Sequence, residues 1–232
     1  MLGILTLDTN FPRIAGDVGA KSTFAFPVSH AVVRGAGVES VVHEADPALL
    51  PAFVDAARKL QAEGCIAITT TCGFLVQWQS ALSEEVDVPV LTSALLQLPL
   101  VQRFLPRRRR VGVVTYSAAA LTPGLLATAG ADPATPVAGV DPAGYFAQTI
   151  RHGATTIDRK RMAADVVAAG ETLVAAHPDV GAVVLECANM PPYRAAVAEA
   201  LALPVFDMVD FVTWFYRATA GPGIRDALRD LW

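Results

Sequence analysis

The sequence predicts an α/β fold of two pseudo-symmetric lobes, each a mainly parallel sheet flanked by helices, with a ligand cleft between them. Three observations carry this. Short runs that are apolar throughout alternate with longer amphipathic segments, the pattern of parallel strands covered on both faces by helices. The second half of the chain repeats the first. The composition, 53% hydrophobic and 17% charged over 232 residues, is that of a globular chain able to bury a full core.

In chain order, Gly3-Ile4-Leu5-Thr6-Leu7 reads as the first strand. An amphipathic stretch over Leu49 to Glu63 leads into a second strand, Ala67-Ile68-Thr69-Thr70, and Val88-Pro89-Val90-Leu91 forms a third. The arginine cluster 107–110 reads as a solvated loop entering the next strand, Val111-Gly112-Val113-Val114. A helical stretch over Met162 to Ala176 precedes Ala182-Val183-Val184-Leu185, and another over Tyr193 to Ala202 precedes Pro204-Val205-Phe206. These elements divide the chain into a first lobe at 1–98 and a second at 99–210. Residues 211–232 are expected to pack back onto the first lobe as a helix.

The repeat is visible in the spacing. GCIAITTTCGF resembles VGAVVLECANM, with Cys72 and Cys187 at an offset of 187 − 72 = 115. VPVLTSALLQL resembles LPVFDMVDFVT, with Pro89 and Pro204 at the same offset, 204 − 89 = 115. GILTLDT matches VGVVTYS at a slightly different offset. Agreement of cysteine, proline, strand and preceding helix points to a duplication, with a period far too long for a solenoid. Ligands of open parallel sheets bind beyond the carboxyl ends of the strands. Cys72 and Cys187 both sit at such ends, so a pseudo-twofold axis sets the two thiols face to face.

Composition also excludes whole classes of function. A net charge of −4 leaves no basic footprint for nucleic acid. No apolar run approaches the length of a membrane span, and an aspartate at position 8 without a basic leader argues against a signal peptide. Three widely spaced cysteines argue against a disulfide framework and for a reducing, cytoplasmic setting. No P-loop, G-x-G-x-x-G or H-E-x-x-H motif occurs, so neither a cofactor nor a metal is expected.

Each site cysteine lies where a strand ends and a helix is expected, a setting whose unpaired N–H groups and dipole lower a thiol's pKa. Gly73 lets a ligand oxygen approach the backbone, and Ala188 is nearly as small in the other half. Two thiols on opposite sides of one carbon can remove a proton from one face and deliver one to the other. Cys65, without a counterpart, reads as a buried small hydrophobe. The four histidines share no spacing and read as surface residues.

TTTCGFL, VGVVTYS, LECANMPPY and LDTNFPR together resemble the aspartate/glutamate racemase superfamily, which includes hydantoin racemases, maleate isomerases and arylmalonate decarboxylases. The resemblance covers nearly the whole chain. It implies a cofactor-independent isomerase, with Cys72 and Cys187 as opposed acid and base, inverting the Cα of a small carbon acid such as aspartate or glutamate. A hydantoin racemase, a maleate-type cis–trans isomerase and a non-catalytic ligand-binding protein are the alternatives. Arylmalonate decarboxylases resemble this plan with only one of the two cysteines, and having both separates the chain from that branch. Where glutamate racemases have an Asp-Ser and a glycine-rich loop, Asp8-Thr9 is followed here by Asn10-Phe11-Pro12-Arg13. Where they have Thr-His behind the second cysteine, this chain has Ala188-Asn189.

The expected ligand is a small carboxylate or hydantoin, with a homo-oligomer left open. Its binding residues are expected from four places. Asp8, Thr9 and Arg13 follow the first strand, and Arg13 is that loop's only base. Thr71, Gly73 and Phe74 surround the first thiol. Thr115, Tyr116 and Ser117 follow the matching strand of the second lobe, and Ala188 and Asn189 follow the second thiol. Glu186, next to Cys187, points to the other side of the strand if the strand continues through it.

Overall fold

The computed structural model describes residues 1–221; the rest of the expected terminal helix, 222–232, lies outside the described residues. Two four-stranded sheets form the centre, and every strand pair in them is parallel. The first runs in the order β2-β1-β3-β4, from β1 (Leu2–Leu7), β2 (Val28–Val33), β3 (Ala67–Thr70) and β4 (Val90–Leu91). The second runs β6-β5-β7-β8, from β5 (Arg110–Thr115), β6 (Val137–Gly139), β7 (Val180–Leu185) and β8 (Val205–Phe206). The helices are α1 (Leu50–Ala62), α2 (Gln79–Glu84), α3 (Leu98–Phe104), α4 (Pro123–Thr128), α5 (Tyr145–His152), α6 (Arg159–Ala176), α7 (Arg194–Leu201) and α8 (Met208–Thr219). The two-lobed α/β fold expected from the sequence is the one observed.

Local chemistry explains the elements. α1 buries Phe53, Ala57 and Leu60, one helical face at spacings of four and three. Leu60 packs so closely on β1 that a Cβ at Gly3 would lie 3.0 Å from its Cδ1. The side chains of Asp158 and Asp207 accept hydrogen bonds from the first free N–H groups of α6 and α8, which fixes where those helices start.

The duplication holds in the register. Ala67 pairs with Leu2 and Ala182 with Val111, so the inner strands stand at 182 − 67 = 115. The first strands stand at 111 − 2 = 109. It is therefore LGILTLD, one residue earlier than the segment singled out in the sequence, that lies over VGVVTYS. Two strands were not expected. β2 is an edge strand whose residues are mostly half-buried, and β6 is three residues long. β2 also corrects the reading of the histidines. Both ring nitrogens of His30 are buried, and burial holds it below the ordinary imidazole value.

The helical segment closing each lobe reaches the other lobe. After β4, the 3-10 turn Ala94–Gln97 packs on β7 and α3 leans on β5. After β8, α8 packs on β3, with the buried Tyr216 ring stacked 4.0 Å from that of Phe26. Gln97 Nε2 donates to the carbonyl of Asp207 at 3.2 Å, joining the two segments. Among the described residues no helix is long and apolar enough to cross a membrane.

Candidate active site

The carboxyl ends of β1, β3, β5 and β7 converge on one pocket, about 370 Å³ of empty space that is partly open to solvent. Cys72 and Cys187 both line it and are only 7% and 8% exposed. Thr9, Arg13, Thr71, Gly73, Phe74, Tyr116 and Asn189 line it too. The fold thus brings together the two thiols and seven of the residues expected around them. Leu7, Phe11, Val38, Val42 and Ile150 add an apolar wall that sequence reasoning did not anticipate. Among the described residues no group of His, Cys, Asp and Glu is arranged to hold a metal ion.

Four expected residues do not line the pocket. Asp8 is exposed; its Oδ2 accepts from Gly35 N at 3.2 Å and its carboxylate pairs with Arg34. Ser117 shapes the turn after β5 by accepting from Ala120 N at 3.3 Å. Ala188 is buried, and its carbonyl accepts from Val18 N at 3.2 Å. Thr115 stands behind the pocket and donates its hydroxyl to Glu186 Oε2 at 2.8 Å.

Glu186 itself faces the pocket, because β7 ends at Leu185 and side-chain alternation stops with it. It occupies the place that Thr71 has in the first lobe, 186 − 71 = 115. Thr71 Oγ1 accepts from Leu7 N at 3.2 Å, and Glu186 Oε2 accepts from the equivalent Tyr116 N at 3.4 Å. The duplicated strand end thus carries a hydroxyl on one side and a carboxyl on the other. Glu186 also explains Gly73. A Cβ on residue 73 would lie 2.6 Å from the Glu186 carbonyl oxygen and 2.8 Å from its Cδ. The space over the glycine is filled by this residue, not kept for a ligand oxygen.

Electrostatics reverse the expected thiol activation. Burial, and then the Glu186 carboxylate, push Cys72 up to about 12; hydrogen bonds from the N–H groups of Phe74 and Leu75 act the other way and lose. Cys187 is pushed up by the same two causes. The expected α-helix starts are missing. Cys72 precedes a 3-10 helix over Gly73–Trp78, and Cys187 precedes a turn closed by Met190 N on its carbonyl. Burial also pushes Glu186 up, to about 7. These surroundings favour neutral thiols. Cys65 is buried at the opposite end of β3, in the core.

A polar chain runs from the second thiol to the loop after β1. Cys187 Sγ lies 3.5 Å from Asn189 Oδ1, and Asn189 Nδ2 donates to Asp17 Oδ2 at 2.6 Å. Arg13 Nη1 pairs with Asp17 Oδ1 at 3.2 Å, while Nη2 donates to Thr9 Oγ1 at 2.9 Å. Gly19 N donates to the same carboxylate at 2.7 Å. Asp17, only 3% exposed, holds both Arg13 and Asn189, and nothing in the sequence marked it. Among the described residues Arg13 is the one cation lining this pocket, so Arg13→Ala is expected to raise KM for a carboxylate substrate about tenfold or more, with a smaller change in kcat. The size follows from losing a charged hydrogen bond worth roughly 1.5–3 kcal/mol. Steady-state kinetics check this, and an unchanged KM removes Arg13 from substrate binding.

The chain resembles known proteins along nearly its whole length. The profile of the Asp/Glu/Hydantoin racemase family matches residues 35–215. Dimethylsulfoniopropionate lyase 7 of Emiliania huxleyi is 28% identical over 94% of this chain, and the chain spans 66% of its length. A dimethylsulfoniopropionate lyase of Durusdinium sp. clade D is 27% identical over 93% of this chain, which spans 74% of it. Among solved structures, an arylmalonate decarboxylase superposes with a TM-score of 0.62 at 21% identity, covering 95% of this chain and 93% of that one.

Proposed function

The chain belongs to the Asp/Glu/hydantoin racemase family, and from that premise we propose that it is a carbon-acid lyase working through Cys72 and Cys187. A site thiolate removes a proton from the carbon next to a carboxylate. The C–H electron pair forms a carbon–carbon double bond, and the bond to a leaving group on the next carbon breaks, its pair departing with that group. The substrate class is a small carboxylate with a cationic leaving group, dimethylsulfoniopropionate being the first to try.

The observation that carries the reading is that both thiols open into one pocket of a chain that resembles dimethylsulfoniopropionate lyases along nearly all its length. The lining suits a zwitterion. Arg13 offers a fork for the carboxylate, and Phe74 and Tyr116 offer ring faces for an onium group. A second reading, inversion at Cα, is favoured by the equivalent placement of the two thiols on pseudo-symmetric strand ends.

Proton NMR of the purified protein with dimethylsulfoniopropionate in heavy water separates the two. Elimination gives acrylate and dimethyl sulfide. L- and D-aspartate, glutamate and a hydantoin, run in parallel with chiral chromatography, report inversion. Inversion of any of these without elimination would replace the lyase reading by the racemase one.

A further inference from the structure

Glu186 has the features of a working acid rather than a structural one. It is 1% exposed and lines the pocket beside Cys187. Its carboxyl lies over Gly73, the residue after Cys72. No cation pairs with it among the described residues. Oε2 is held by Thr115 Oγ1 and Tyr116 N, while Oε1 makes none of the described hydrogen bonds and faces Gly73. This carboxylate, held at one oxygen, lines one pocket with both thiols and raises both of them.

We propose that Glu186 is a third catalytic group of this site: it carries the pocket's negative charge at rest and takes up the proton of whichever thiol becomes the base. In that step the S–H bond breaks, its electron pair stays on sulfur, and the proton passes to the Glu186 carboxylate. The pocket then holds one thiolate and one neutral carboxylic acid, so its total charge is unchanged. A buried site tolerates moving one charge far better than gaining a second. The move also removes the repulsion that Glu186 exerts on the thiols. When the thiolate has taken the substrate proton, Glu186 gives its own proton to the outgoing product or to water and is a carboxylate again.

The proposal rests on the carbon-acid reading above. Glu186→Gln keeps the size of the side chain and an acceptor for Thr115. It is expected to lower kcat by roughly 10²- to 10⁴-fold, the usual worth of a positioned acid or base, with little change in KM. In the wild type, activity needs the carboxylate at rest, so it falls as the pH drops through about 7; Glu186→Gln loses that limb. Iodoacetamide labelling of Cys72 and Cys187 at pH 8, followed by peptide mapping, should become roughly tenfold faster or more in Glu186→Gln, since a nearby like charge shifts a thiol by about a unit or more. Slow turnover together with faster alkylation supports the proposal. Near wild-type turnover overturns it, and so does slow turnover with unchanged or slower alkylation, which is the mark of a structural residue. Labelling uses the empty protein, so it reads Glu186 even if neither substrate class is turned over, a result that would count against the function alone. If Glu186→Gln does not fold, Thr115→Val serves. It removes a donor to the carboxylate and should move the acid limb upward, and a limb that stays in place overturns the proposal.

Discussion

Cys72→Ser and Cys187→Ser are each expected to lower turnover by roughly 10²- to 10⁴-fold, because a hydroxyl at the same place is a far weaker acid-base group. Both thiols line the pocket from opposite lobes, so on the carbon-acid reading each is expected to face one side of the substrate carbon. Cys65→Ser serves as a control. That side chain belongs to the core, and its replacement should cost stability without changing kcat of the folded protein. Solvent exchange sharpens the test. In heavy water a single mutant can still exchange the one Cα hydrogen that its remaining thiol faces, and the two mutants should label opposite prochiral positions. Elimination needs one base, so one mutant should fall further than the other. Inversion needs both faces, and the two should fall alike. A single mutant with near wild-type turnover would remove that cysteine from the chemistry.

Gly73→Ala is expected to destabilise the protein markedly by overpacking the site. The added Cβ would meet the Glu186 carbonyl at 2.6 Å, and a backbone oxygen at the end of β7 cannot swing aside as a side chain can. Overpacking of this kind costs about 1–3 kcal/mol and sometimes more, which for a chain of this size lowers Tm by roughly 2–4 °C per kcal/mol. Adding Glu186→Ala should recover part of the loss, by removing the carboxyl and leaving the carbonyl. Gly37→Ala, where a Cβ would meet nothing within 4 Å, should move Tm little. Thermal unfolding of the four proteins gives the comparison. Equal effects of Gly73→Ala and Gly37→Ala would mean that the strand ends yield more easily than their packing implies.

The central strands and the two thiols were legible because they are coded locally. β1, β3, β5 and β7 are short, largely buried runs with no polar alternation, and the cysteines share an offset with the prolines after them. The edge strands were not. β2 mixes Ser29 and His30 into a half-buried run, and β6 is too short to show a period. Glu186 was set aside by extending strand alternation one residue beyond where β7 stops. Asp17 sits in a loop of no periodicity, and its role arises from contacts with Arg13, four residues away, and Asn189, 172 residues away. The lowered thiol pKa inferred from strand ends failed for a related reason. Burial depends on how both lobes close over the pocket, and no local motif encodes that.

The exchange of closing helices between lobes bears on how the chain is made. Residues leave the ribosome in order, and N-terminal units generally fold first. Here β1 to β4 can be complete while Phe26 still lacks the ring of Tyr216 that stacks on it, since α8 begins only at Met208. Through most of synthesis the first sheet thus carries an open apolar flank. A nascent chain halted at residue 150 is expected to bind a hydrophobic holdase, and one extended past Thr219 to release it.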